Sequence, residues 1–317
     1  MRIGVTCGGI GPYASGAFIR ASARAAEDAG FGAYWLPEHV VQFAEYPEST
    51  YPYAEGSGQE MPEQSDDSPL KWGDDTYAMS DPRNALVDPL IGMAWAAAAT
   101  STIEVGTNVM VLPQRNPVLL AKELATLDSF SGGRVVLGVG VGWAKEESEA
   151  LGVDFATRGK RTDEMIGAMR ALWRDEAASY EGDFYRFRGA YSFPKPARPG
   201  GIPILMGGES KPAIRRIAQM GDGWLPYNLP VGDAARTIGE LKAMTADAGR
   251  DPGALRIAKI VYSNAAMDDL KRYAEAGVTE FNLATSGELP LDEAGIAAQF
   301  ERWRKALVEP LAEFCGG

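Results

Sequence analysis

Histidine occurs once in this chain of 317 residues, and cysteine only twice. One imidazole at position 39 and two thiols at opposite ends, Cys7 and Cys315, give neither metal-ligand spacing nor a disulfide framework, so the expectation is no bound metal and a reducing cytoplasm. Basic residues are also in deficit. Lys+Arg number 31 against 43 Asp+Glu, and the net charge of −12 is spread along the chain, a surface that repels nucleic acid and anionic membranes. Long apolar runs are missing as well: stretches such as Ile91 to Ala99 are too short to span a bilayer. The opening Met1-Arg2-Ile3-Gly4-Val5 reads as a strand and lacks the charged and apolar regions of a signal peptide.

What is present is ample core material, with 45% hydrophobic residues. Strand-like and helix-like segments alternate from end to end, which calls for parallel βα units. Eight strands are predicted, at Ile3–Cys7, Ala33–Leu36, Ile103–Leu112, Val135–Gly138, Ile202–Met206, Gly223–Leu225, Leu255–Tyr262 and Glu280–Ala284. Eight such units favour a closed (β/α)8 TIM barrel over an open sheet, as one domain covering 1–317. Two insertions interrupt the pattern, after strands two and four. The first, 42–88, is rich in proline, glycine and acidic residues; because it follows a strand end it is expected to act as a lid or substrate selector. Tyr46, Tyr51, Tyr53, Trp72 and Tyr77 within it favour that over a mobile excursion. The second, 177–199, has hairpin alternation over Tyr180–Phe187 and then a proline-rich connector.

Parallel α/β folds carry their chemistry at the C-terminal ends of strands. There the chain places Glu38-His39, Asn108-Val109-Met110, the Gly138–Gly142 run, Gly207-Gly208-Glu209-Ser210 and Trp224-Leu225-Pro226. A carboxylate beside an imidazole suits proton transfer, although a lone histidine is as often a satisfied polar group near a core. The glycines let backbone approach a flat ring, and Gly207 to Ser210, directly before a helix, suits a phosphate. Glu146, Glu147 and Glu149 read as a solvated helix face.

The stretches AEDAGFGAYWLPEH, TSTIEVGTNVMVLPQRNPVLLAKELATLDSFSGGRVVLGVGVGW, RTDEMIGAMRALW and IPILMGGESKPAIRRIAQMGDGWLP resemble the luciferase-like monooxygenase superfamily, and more narrowly its branch that uses the deazaflavin coenzyme F420. That resemblance, which runs to about Ala284, implies a barrel with a flavin or deazaflavin at its mouth. It implies Glu38 and His39 as catalytic residues beside the reactive face of the ring, and a non-prolyl cis peptide at Asn108-Val109, next to Thr107, backing it. Gly138, Gly140, Gly142, Trp143 and Trp224 would line the ring site. Gly207, Gly208, Glu209 and Ser210 match the phosphate site, with Arg161 a further phosphate candidate. The sugar-phosphate dehydrogenases of this group carry a glutamate where this chain has Trp143, which speaks against that reaction; Trp143 serves as an apolar substrate wall or as core. The expected function is therefore hydride transfer between coenzyme F420 and a small organic substrate. The alternative is a monooxygenase that takes reduced FMN from a partner reductase, and a non-catalytic flavin-binding barrel ranks behind both. A homodimer is expected from the same resemblance.

Overall fold

Four-residue strands that are buried along their whole length, such as Ala33–Leu36, have water on neither face and pack as parallel strands beneath a layer of helices. The computed structural model, which describes residues 1–49, 82–285 and 289–316, arranges them that way. In order the strands are β1 (Arg2–Thr6), β2 (Ala33–Leu36), β3 (Glu104–Thr107), β4 (Met110–Val111), β5 (Val135–Gly140), β6 (Ala178–Glu181), β7 (Arg186–Ala190), β8 (Ile204–Gly207), β9 (Gly223–Leu225), β10 (Arg256–Tyr262) and β11 (Glu280–Ala284). One sheet runs β3-β2-β1-β11-β10-β9-β8-β5-β4, and β3 also pairs with β5, so the sheet closes on itself. Since β3 and β4 are two halves of one barrel strand, the result is the expected (β/α)8 barrel.

The helices are α1 (Gly16–Asp28), α2 (Pro89–Ala99), α3 (Pro117–Ser131), α4 (Lys145–Ala150), α5 (Arg158–Arg174), α6 (Lys211–Met220), α7 (Val231–Asp247), α8 (Met267–Glu275), α9 (Glu293–Trp303) and α10 (Glu309–Gly316). Among the described residues no helix is long and apolar enough to cross a membrane. Local chemistry sets several helix starts: Ser15, Asp88, Asn116 and Ser210 each accept a backbone N–H of the first turn.

Trp35 fills the barrel interior. A Cβ at Gly4 or at Gly106, on the two flanking strands, would collide with its indole, so those glycines are the space into which the ring fits. Ala33, Val136, Leu205, Leu225 and Ala258 complete this inner core. Buried Glu104, at the N-terminal end of β3, meets Arg2 and Arg198 at 2.8 Å and Arg256 at 3.0 Å. Burial pushes its carboxyl up, but the three guanidinium groups outweigh that and hold it below the usual range. With that end filled, chemistry is left to the C-terminal mouth.

The third strand does not run unbroken from Ile103 to Leu112 as expected; it breaks at Asn108-Val109, whose peptide bond is cis. The hairpin of the second insertion is present as β6 and β7. Residues 50–81 lie outside the described residues, and with them Tyr51, Tyr53, Trp72 and Tyr77 and the lid expected there. The chain that returns from this stretch is tied to the loop after β1, through Gly11 N to Ala85 O at 2.8 Å and Val87 N to Gly9 O at 2.9 Å.

Candidate active site

At the end of β2 two adjacent side chains part company. Glu38 is buried, accepts the N–H of Val111 at the start of the resumed third strand, and takes both Nε and Nη2 of Arg115. Arg115 in turn reaches Asp88, the N-cap of α2, at 2.8 Å. Burial pushes the Glu38 carboxyl up, and Arg115 and the Val111 N–H only partly offset it. The sequence placed Glu38 beside the ring; here it ties strands two and three together beneath the mouth.

His39 goes the other way. Its Nδ1 lies 2.9 Å from Oε2 of Glu147, and its ring meets Trp143 edge-on with centroids 5.9 Å apart. Glu147 is 1% exposed; its other oxygen accepts Val40 N at 2.6 Å and Val41 N at 3.3 Å. Burial would raise this carboxyl, but His39 and the Val40 N–H outweigh it and hold it below the usual range. The expectation of a solvated face fails at Glu147, although Glu149 is exposed as expected. Sequence reasoning missed it because three acids in a six-residue helix look solvated. The available signal was that α4 follows the glycine run directly, and so begins at the mouth. An ionised carboxylate can only accept, so this bond fixes the His39 tautomer with its proton on Nδ1.

Trp143 is half-buried and also packs on Tyr46, with centroids 5.0 Å apart. Neighbouring bonds fasten the chain after β2 across to α4: Glu48 N to Glu146 at 2.8 Å, Lys145 N to Ser49 at 2.7 Å, and a Lys145–Glu48 ion pair. Trp143 and Tyr46 thus form an aromatic pair beside His39.

The opposite margin is built from glycine. Thr107 is buried and bonds Gly138, its Oγ1 donating to Gly138 O at 2.6 Å, while a Cβ at Gly138 would collide with Thr107 O. Thr107 and Gly138 therefore weld the third and fourth barrel strands. Val109, half-buried after the cis bond, lies over Gly140, where a Cβ would come 2.8 Å from its Cγ2. Gly142 has φ +84° and Gly208 φ +99°, left-handed backbone that favours glycine.

Beside Gly140 and Gly207 is a small cleft, lined also by Val139, Val141, Thr162, Met206, Ala213 and Arg216. Ser210 caps α6, whose N-terminus lies at this cleft. Arg216 is held there by Asp163 and by Gly159 O at 3.2 Å. Arg161, the arginine expected for phosphate, instead bonds Thr157 at 2.9 Å and lies over Phe184 at 4.4 Å; its neighbour Thr162 and the distant Arg216 take the cleft. Glu209 spends Oε1 on the N–H groups of Tyr227 and Asn228, and Trp224 donates to Gly208 O at 2.9 Å. Taken together, a side-chain-free floor backed by Val109 fits a flat ring, and Thr162, Arg216 and a helix N-terminus fit an attached phosphate.

The sequence profile of the family described as luciferase-like monooxygenase matches residues 71–315. An uncharacterised protein of Mycobacterium tuberculosis is 35% identical over 267 residues, 82% of this chain and 84% of that protein. Shorter matches reach an FMNH2-dependent dimethylsulfone monooxygenase of Pseudomonas putida, 32% identical over 48% of this chain and 42% of its own, and an F420-dependent glucose-6-phosphate dehydrogenase of Kineococcus radiotolerans, 34% identical over 43% and 41%. Among solved structures, an F420-dependent secondary alcohol dehydrogenase in complex with an F420-acetone adduct superposes with a TM-score of 0.68 at 19% identity, covering 95% of this chain and 97% of that one.

Proposed function

The chain belongs to the luciferase-like monooxygenase family, and we propose that it is an oxidoreductase moving a hydride between bound coenzyme F420 and a small organic substrate. The observation that carries this reading is the bond between His39, just after β2, and the buried Glu147 of α4. Oxidising an alcohol or reducing a carbonyl moves one proton together with each hydride, and His39 Nε2 would take or give it while Glu147 holds the ring and stabilises the imidazolium. The deazaflavin, when bound, supplies the hydride chemistry. Gly140, Val109 and Gly207 would hold its ring, and Thr162, Arg216 and the α6 N-terminus its phosphate. Trp143 and Tyr46 exclude water above His39, which strengthens every electrostatic contact beneath them.

The match to the FMNH2-dependent relative supports a second reading, monooxygenation with reduced FMN from a partner reductase. A titration of purified protein with coenzyme F420 and with FMN, followed by tryptophan fluorescence, separates the two. Micromolar or tighter F420 binding with weak FMN binding, and anaerobic turnover of secondary alcohols, is the expected result. Preference for FMN with strict dependence on O2 would replace the first reading by the second.

A further inference from the structure

The loop after β9, Pro226 to Leu229, carries no regular structure, yet five of its main-chain atoms are bound by side chains or strand. Glu209 Oε1 accepts Tyr227 N at 2.7 Å and Asn228 N at 3.1 Å. Lys259 Nζ donates to Tyr227 O at 2.6 Å, Tyr273 OH donates to Leu229 O at 2.6 Å, and Ile260 N reaches Pro226 O at 3.3 Å. Lys259 is fully buried on β10, and a buried lysine is rare unless partners hold it. Around the closed sheet β9 lies four strands from β2 in either direction, so this loop faces His39 across the mouth. Its Tyr227 hydroxyl meets that of Tyr262, at the end of β10, at 3.1 Å. Asn228 Oδ1 is buried without a hydrogen-bond partner among the described residues. A buried acceptor left unpaired costs free energy that a ligand donor would recover.

We infer that Glu209, Lys259 and Tyr273 form a clamp that presents Asn228 to the ligand, where Oδ1 accepts a hydrogen bond from an N–H donor on the edge of a flat heterocyclic ring. Glu209, Lys259 and Tyr273 are positioning residues; Asn228 is the contact. The inference rests on the proposed function for the identity of the ring, and not for the clamp.

The experiment has two readouts on the whole chain. Hydrogen–deuterium exchange of ligand-free protein follows the amides of Tyr227 and Asn228 in wild type, Lys259→Met and Tyr273→Phe. The clamp requires exchange about tenfold faster in Lys259→Met, and a smaller rise in Tyr273→Phe, which removes one hydroxyl and leaves the fold's packing. Unchanged exchange in Tyr273→Phe and in any folded Lys259→Met overturns the clamp. Titration with coenzyme F420 and with FMN then compares wild type with Asn228→Ala, which should keep wild-type exchange and lose about tenfold in affinity for whichever ring wild type binds. Equal affinity overturns the Asn228 contact. If wild type binds neither ring, the proposed function falls and the Asn228 contact with it, while exchange still decides the clamp.

Discussion

Glu147 Oε2 lies 2.9 Å from Nδ1 of His39, the one histidine of the chain. Replacing Glu147 by Gln keeps an oxygen for the Val40 N–H but turns the group facing Nδ1 into a donor, which forces the imidazole into the other tautomer and puts its proton on Nε2. Turnover should fall at least about 10²-fold, the usual scale for losing a general base or acid. With a single histidine, the 15N spectrum reads the tautomer without assignment. A variant whose imidazole nitrogens resonate as in wild type would remove Glu147 from this role. The depressed Glu147 carboxyl also contributes stability that is complete above its ordinary pKa of 4.5 and is lost as pH falls below it.

Two glycines should respond in opposite directions. A Cβ at Gly138 would collide with Thr107 O and lie 2.7 Å from Leu225 Cδ1, and the first of these is backbone that cannot move aside. Gly138→Ala should cost about 4 kcal/mol or more, or yield no folded protein. Gly239 sits on the exposed side of α7 with nothing within 4 Å of its would-be Cβ. Gly239→Ala should therefore gain about 0.5–1 kcal/mol from helix propensity and raise the melting temperature by about 1–3 °C. Thermal melts of the two variants check the pair, and a stable Gly138→Ala would mean that the third and fourth strands are not in such close contact.

Why some of this was legible and some not follows from range. Barrel strands announce themselves locally, because short apolar runs bounded by glycine alternate with helical periodicity, and the strand ends that make the mouth come with them. The partner of a polar side chain is not local. His39 finds Glu147 108 residues away, and Glu38 finds Arg115 77 residues away. Adjacent on the chain, Glu38 and His39 read as one pair; extended backbone sends neighbours to opposite sides, and they serve different partners. Arg161 stands in a recognisable stretch, whereas the cleft takes Thr162 and Arg216 from two different helices. Lys259 left a signal that went unread: a charge flanked on both sides by apolar residues of a buried strand must have partners.

The Glu38–Arg115 ion pair carries its own test. Glu38 is buried with an elevated carboxyl, so removing its cation leaves a buried charge held only by the Val111 N–H. Arg115→Met should cost about 3–5 kcal/mol. Glu38→Gln with Arg115→Met leaves no buried charge and should recover part of that loss, giving a coupling above about 1 kcal/mol in a double-mutant cycle of urea unfolding. Additive single effects would show that the two side chains act independently.

Lys259 makes stability depend on pH in a direction opposite to that of an ordinary ion-paired lysine. Burial pulls its ammonium down from 10.5 to about 7, with nearby Glu209 opposing the fall. Tyr273 lies alongside, 5.7 Å from Nζ to its ring, and the amine bonds two carbonyls, Tyr227 O and Ile260 O. Between pH 7 and 10.5 the unfolded chain holds this proton and the folded chain does not, so folding stability rises with pH across that window, by about 1.4 kcal/mol per unit. Below pH 7 the folded chain bears the buried charge at full cost. Lys259→Met removes the titration and keeps the volume. The wild-type stability measured against that variant should grow by about 2–3 kcal/mol from pH 7 to pH 9, read from urea midpoints in matched buffers. A difference that stays constant over those two units would mean that Lys259 remains charged throughout, and that Glu209 compensates for its burial in full.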